Sequence, residues 1–132
     1  MAIGFSPAVL DAAERAPEVE LTTFGRKTGK PARVTIWITR EGPRLFVRSG
    51  GGLGRDWPRN LLAHGRGVLH VGGRDVPVLA RHVSDPDEAR AVGRLIRQRH
   101  SGSLPVSAAG EPLTPGEQAT FELVPAAGPV HA

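Results

Sequence analysis

Apolar and polar residues alternate along several short stretches of the chain, at the period of a half-buried strand. Glu18-Val19-Glu20-Leu21-Thr22-Thr23-Phe24 is the first stretch, and Arg33-Val34-Thr35-Ile36-Trp37-Ile38-Thr39 is the second. Arg44–Arg48, Gly67–Val71, Arg74–Val83 and Ala119–Val124 extend the pattern to six predicted strands. Pro77 removes one ladder donor from the fifth. Gly25 to Pro31, Glu41-Gly42-Pro43 and Gly72-Gly73 are turn signals between them, the last fitting a two-residue hairpin. Helical spacing appears three times. Ala8–Arg15 follows the N-cap and N1 pair Ser6-Pro7 and stops at Pro17. A second short helix starts with Asp56 as its cap and ends at Gly65. The longest opens at Ser84-Asp85-Pro86-Asp87-Glu88 and runs to about His100, with Ala89, Val92, Leu95 and Ile96 on its apolar side. Gly50–Gly54 reads as a flexible loop, Ser101–Gly116 as a long one.

Strands joined by hairpins favour antiparallel pairing, and six short strands favour closure into a small barrel. The expected fold is therefore mainly β: a six-stranded antiparallel barrel with short helices. The βαβ alternation of a Rossmann fold is absent. The length, 132 residues, suits one domain. It divides into an N-terminal helix to residue 17, a barrel over 18–125 and a loose tail over 126–132.

Composition narrows the chemistry. There is no cysteine and no tyrosine, which excludes disulfides, thiolate metal sites, a cysteine nucleophile and a phenolic acid. The histidines, His64, His70, His82, His100 and His131, form no metal-ligand spacing, so no metal is expected. No serine lies in a G-x-S-x-G elbow. No apolar run approaches membrane-spanning length, and the N-terminus lacks the features of a secretion signal, so a cytoplasmic location is expected. The net charge of +4 is unevenly spread. From Arg26 to Arg66, ten Arg and Lys face only Glu41 and Asp56, a net +8, while the rest of the chain carries −4. That separation implies an anionic partner for the middle of the chain. Nucleic acid fits poorly, because aromatic residues for base stacking are few and no helix is strongly basic.

The densest segment is Gly25-Arg26-Lys27-Thr28-Gly29-Lys30-Pro31-Ala32-Arg33. Four cations and two glycines in one turn suit a phosphate, the glycines freeing backbone N–H groups and the cations adding charge. A solvated hairpin tip fits the same residues. It is no Walker A loop, since a strand follows and no Ser or Thr succeeds Lys30. Trp57 fits either a core position or a ring-stacking one. Asn60 fits either a ligand contact or a bond to its own helix end. With no nucleophile or metal set, any chemistry comes from a bound cofactor.

Glu20-Leu21-Thr22-Thr23-Phe24-Gly25-Arg26-Lys27-Thr28-Gly29-Lys30-Pro31 resembles the ELTTxGRKSGKPR opening of the deazaflavin-dependent nitroreductases. Ser49-Gly50-Gly51-Gly52 resembles their glycine loop, and Trp57, Asn60-Leu61 and Ala63 their WYxNLxANP helix. Val71-Gly72-Gly73-Arg74 and Phe121-Glu122-Leu123-Val124-Pro125 match later pieces in order. The resemblance covers roughly Glu18 to Pro125. It implies a split β-barrel of the FMN-binding type, with coenzyme F420, a deazaflavin bearing a phosphate-containing tail, as cofactor and FMN as the alternative. By position, Arg26 and Lys27 would hold the tail phosphate, with Thr28 in the same turn and Lys30 and Arg33 in support. Ser49, Gly50 and Gly51 would line the ring or tail, and Trp57 and Asn60 would brace the groove. The implied activity is hydride transfer from reduced F420 to a small electron-poor acceptor. A non-redox binding protein on the same scaffold is the alternative, and a homodimer is the expected assembly. The sequence departs from the family at Pro58 and Gly51, which replace a Tyr and a Lys, and at Gln98–Ser103, which replaces a Tyr-bearing segment. With tyrosine absent, His100 is the candidate proton donor; a histidine at a helix end also suits capping.

Overall fold

The computed structural model describes residues 4–126; His131 and the tail beyond 126 lie outside them. Two edge strands define the architecture. β2 (Pro31–Trp37) and β3 (Thr39–Glu41) stand at opposite ends of a seven-stranded antiparallel sheet, ordered β2-β1-β5-β6-β7-β4-β3. Yet only Ile38 separates them in the chain. The sheet must therefore curl until its two ends meet at that residue, whose side chain is fully buried. The single strand expected over Arg33–Thr39 is thus two, and the described residues form seven strands. The alternation continues through the corner, so the pattern could not reveal it.

The remaining strands are β1 (Glu18–Phe24), β4 (Arg44–Arg48), β5 (Arg66–Val71), β6 (Arg74–His82) and β7 (Thr120–Pro125). β1–β2, β3–β4 and β5–β6 are hairpins, while β1–β5 and β4–β7 pair residues far apart in sequence. Leu21, Leu45, Leu69, Phe121 and Leu123 fill the main core inside the curl. β4 is buried on both faces. Leu45 and Val47 point into the main core, while Phe46 meets Val83, Ala89, Val92 and Ile96 beneath the long helix.

The helices follow their sequence signals. α1 (Pro7–Arg15) is capped by Ser6, whose Oγ accepts from the Val9 amide at 3.3 Å. α3 (Pro86–Arg99) is capped by Asp85, which accepts from the Glu88 amide at 2.9 Å. α2 (Asp56–His64) ends at Gly65 in the left-handed conformation. Its cap position is Arg55 rather than Asp56, which is already helical and makes no capping bond. Two expected loops carry short helical pieces, a 3₁₀ turn at Gly52–Gly54 and α4 (Pro115–Gln118). In the β5–β6 hairpin, Gly72 and Gly73 both have positive φ, as a type I′ turn requires. A side chain at Gly72 would also lie 2.7 Å from the Ala12 methyl of α1.

Four charged residues pin α3 to the sheet. Arg44 binds Glu122 and Glu88 at 3.1 Å, and Arg81 bridges the same two carboxylates. Hydrogen bonds from Arg44 hold the Glu122 carboxyl below the usual carboxylate range, and those from Arg81 do the same for Glu88. A carboxyl with a depressed folded pKa binds fewer protons folded than unfolded. Its stabilisation is complete above the unfolded value of about 4.3 and fades as pH falls through the folded value. Urea midpoints from pH 7 to 3 are therefore expected to drop below about pH 4.3, and Glu122→Gln to flatten that drop. An unchanged acid limb in the variant would place the titrating groups elsewhere.

Candidate functional site: a cationic pocket beside an aromatic groove

The start of α2 contributes to two adjoining depressions. Asp56 and Asn60 face a pocket of about 280 Å³ that is also lined by Gly25, Arg26, Lys27, Thr28 and Lys30. Arg55 and Trp57 face a groove of about 620 Å³. The groove's other walls are Glu18 at the start of β1, β2 from Val34 to Trp37, Arg48 at the end of β4, and Ser49-Gly50-Gly51 after it.

The pocket is built around Asn60, which is buried. Its Oδ1 accepts from the Arg26 amide at 3.1 Å and from the Arg26 guanidinium at 3.0 Å, and its Nδ2 donates to Thr23 Oγ1 at 3.2 Å. Asn60 thus ties the β1–β2 turn to α2 instead of bonding its own helix end, while it also lines the pocket. Asp56 also holds the Arg26 guanidinium, at 3.4 Å. The turn is closed internally. The Gly29 amide donates to the Gly25 carbonyl and the Gly25 amide to the Lys30 carbonyl, both at 2.8 Å. The two glycine amides are therefore occupied, and the pocket's pull on an anion comes from Arg26, Lys27 and Lys30. Arg33 lies outside both depressions, on the exposed face of β2 at 3.5 Å from Glu20.

The groove joins aromatic walls to one unsatisfied hydroxyl. Trp57 is buried in the main core, 6.2 Å from Phe121 between ring centroids, and it also lines the groove. Trp37 is 40% exposed, open enough to offer a ring face. Ser49 is 2% exposed, and its Oγ is the only buried side-chain polar atom without a hydrogen-bond partner among the described residues. Leaving such a hydroxyl unpaired costs about 1–3 kcal/mol, so a polar ligand atom reaching it would be favoured.

Arg48 crosses behind the groove. Its Nε donates to Thr120 Oγ1 at 2.7 Å and its guanidinium to the Ala89 carbonyl at 2.9 Å. Burial pulls its pKa down to about 10, opposed by the Glu117 charge, so it remains a cation at neutral pH. His100 does not line the groove. Its Nε2–H donates to the Ile38 carbonyl at 2.9 Å, and its ring lies flat on Trp37, 4.6 Å away and 5° from parallel. Burial lowers its pKa, as does Arg99, while the bond to Ile38 works the other way. His100 backs the groove wall from the C-cap of α3. Trp37, Arg48 and Arg55 were not singled out from sequence as site residues. For Trp37 a signal was available: alternation puts it on the polar phase with Arg33 and Thr35, an unusual place for an indole.

The family model of F420H(2)-dependent quinone reductases matches residues 7–105. The chain belongs to this family. The deazaflavin resemblance drawn from the sequence is therefore correct, and coenzyme F420 is the family's cofactor. A solved F420H2-dependent reductase shares 21% identity with a TM-score of 0.61, over 82% of this chain and 93% of its own. A haem storage protein from Vibrio cholerae superimposes with a TM-score of 0.68 at 15% identity, over 97% of this chain and 93% of its own. A structure described as a domain-swapped dimer has 19% identity and a TM-score of 0.61, over 82% and 79%. These likenesses establish the split-barrel fold. No curated protein matches the sequence. Among the described residues, no helix of this family member is long and apolar enough to cross a membrane.

Proposed function

We propose that the protein is an F420H2-dependent reductase acting on a flat, electron-poor acceptor such as a quinone, enone or nitroaromatic. One observation carries this reading: the cationic pocket and the aromatic groove share α2, so a single ligand with an anionic tail and a flat ring can span both. Arg26, Lys27 and Lys30 would take the tail phosphate, each charge-assisted bond being stronger than a neutral one. The unpartnered Ser49 Oγ offers a hydrogen bond to a heteroatom of the ring, and Trp37 and Trp57 keep water from one side of the groove. The groove thus fits the deazaflavin by shape, charge and unsatisfied polarity. When bound, F420H2 supplies a hydride equivalent. The protein's part is positioning and water exclusion. With no tyrosine in the chain and His100 Nε2–H engaged with Ile38, the accompanying proton comes from water at the open groove.

Two measurements test this. Titration with F420 and, separately, FMN should give saturable binding, with F420 the tighter. Stopped-flow mixing of the F420H2-loaded protein with menadione should oxidise the donor faster than free F420H2 is oxidised. Equal rates would leave a binding protein.

We also infer a homodimer. β2 pairs with β1 alone and presents Arg33, Thr35 and Trp37 outward, an edge that a second copy would protect. Light scattering at micromolar protein should report twice 14.0 kDa; a particle of 14.0 kDa would exclude the dimer.

A further inference from the structure

The outer face of the sheet carries a relay of three side chains. Alternation sends Leu21 and Leu69 into the core and their neighbours outward, and the strand register sets those neighbours in rows. One row runs Arg33, Thr22, Val68 and Pro77 across β2, β1, β5 and β6. The row beside it, two residues along, carries His70 and Asp75. A diagonal joins the two rows. Thr22 Oγ1 lies 2.7 Å from His70 Nε2, and His70 Nδ1 lies 2.7 Å from Asp75 Oδ1. None of the three lines the pocket or the groove.

The donors available fix the roles. An ionised carboxylate only accepts, so Nδ1 of the neutral ring carries the proton and Nε2 presents its lone pair. Thr22 then donates its single O–H to Nε2. A hydroxyl held by a base that a third group orients is the arrangement that activates an oxygen nucleophile. Sequence spacing hides it, because Thr22 and His70 are 48 residues apart. Thr22 is buried and His70 half-buried, so the site admits a small acyl group. Arg33, opposite Thr22 on β2, sets a positive charge beside the place where an ester oxygen turns anionic. Val68 and Pro77 continue the row as an apolar rest for the leaving group. Asp75 is exposed, so water screens its charge and its service is to hold the ring's tautomer.

We propose that Thr22, His70 and Asp75 form a hydrolytic site for small activated esters, working through an acyl-Thr22 intermediate. Thr22 Oγ1 attacks the ester carbonyl carbon as its proton passes to His70 Nε2. The bond from that carbon to the leaving oxygen breaks, and the leaving oxygen takes the proton from Nε2. Water then attacks the acyl carbon and gives a proton to Nε2. The bond to Thr22 Oγ1 breaks as that proton returns to it. The net change is ester and water to carboxylic acid and alcohol, with no oxidant or reductant. Thr22 and His70 are the catalytic residues, and Asp75 is a positioning residue.

The test is incubation of the purified protein with p-nitrophenyl acetate, following p-nitrophenol release and locating acetyl groups by peptide mass spectrometry. Wild type should carry acetyl on Thr22 and release p-nitrophenol about a hundredfold faster than Thr22→Val, the low end of what general-base assistance gives. Thr22→Ser, which keeps the hydroxyl, should stay active. His70→Gln should lose the acetylation. Asp75→Asn should slow it while Thr22 remains the residue modified. Acetyl groups confined to Lys27, Lys30 or His70, or a Thr22→Val variant as fast as wild type, overturn the proposal. Should Thr22→Val fail to fold, the position of the acetyl group in wild type and its absence in His70→Gln decide the matter.

Discussion

Glu117→Ala is expected to lower stability by about 3–5 kcal/mol, chiefly the cost of leaving two amides without their acceptor at about 1–3 kcal/mol each. Glu117 is fully buried. Its carboxylate accepts from the Thr114 amide at 2.8 Å and the Ser107 amide at 3.0 Å, while its own amide donates to Thr114 Oγ1 at 3.1 Å. Those bonds and the Arg48 charge outweigh burial and keep it ionised, its pKa below the usual range. Alanine would orphan two amides and leave the half-buried Arg48 without its counter-charge. With total stabilities of 5–15 kcal/mol, the melting temperature should fall by roughly 10–20 °C in calorimetry. Glu117→Gln separates the causes, since it keeps an acceptor and drops the charge. A Gln variant as stable as wild type would assign the effect to hydrogen bonding alone, and an Ala variant within 1 °C of wild type would remove Glu117 from the structural account.

The largest effect on binding is expected at the β1–β2 turn. Arg26→Ala/Lys27→Ala should weaken F420 by about 2–4 kcal/mol, roughly 30- to 1,000-fold, on the scale of two hydrogen bonds to a charged group. Arg26 also anchors the turn to Asn60 and Asp56, so its loss loosens the pocket as well as discharging it. Lys27→Ala alone isolates the charge. Its effect should shrink as salt rises, because exposed charges are screened. Equal affinity in wild type and double mutant would move the tail phosphate out of this pocket.

What the sequence disclosed divides by the range of the interactions involved. α1 and α3 were legible because Ser6, Asp85 and their following prolines act within one helical turn. The Gly72-Gly73 hairpin was legible for the same reason. The corner at Ile38 was not, since period-two alternation is unchanged when a strand bends from one sheet end to the other. Asn60 was opaque because its partners, Thr23 and Arg26, lie 37 and 34 residues away. The α4 capping box was readable: Thr114 and Glu117 have the S/T-x-x-E spacing, hidden in a segment whose glycine and proline content suggested only a loop. The cationic turn was legible from its run of cations and glycines and from the family resemblance of Glu20–Pro31, while Trp37 and Arg48 became site residues only once β2 and β4 had been brought to walls of one groove.

The position of β7 has a consequence for synthesis on the ribosome. This strand lies between β6 and β4, and it alone joins the four-stranded half β2-β1-β5-β6 to the two-stranded half β4-β3 by hydrogen bonds. It is also the last strand in chain order among the described residues. Until Thr120–Pro125 has emerged, each half presents an unpaired edge, the kind of surface that recruits foreign strands. Closure of the sheet therefore waits for Thr120–Pro125, and a chain that stops before residue 120 is the form most exposed to aggregation.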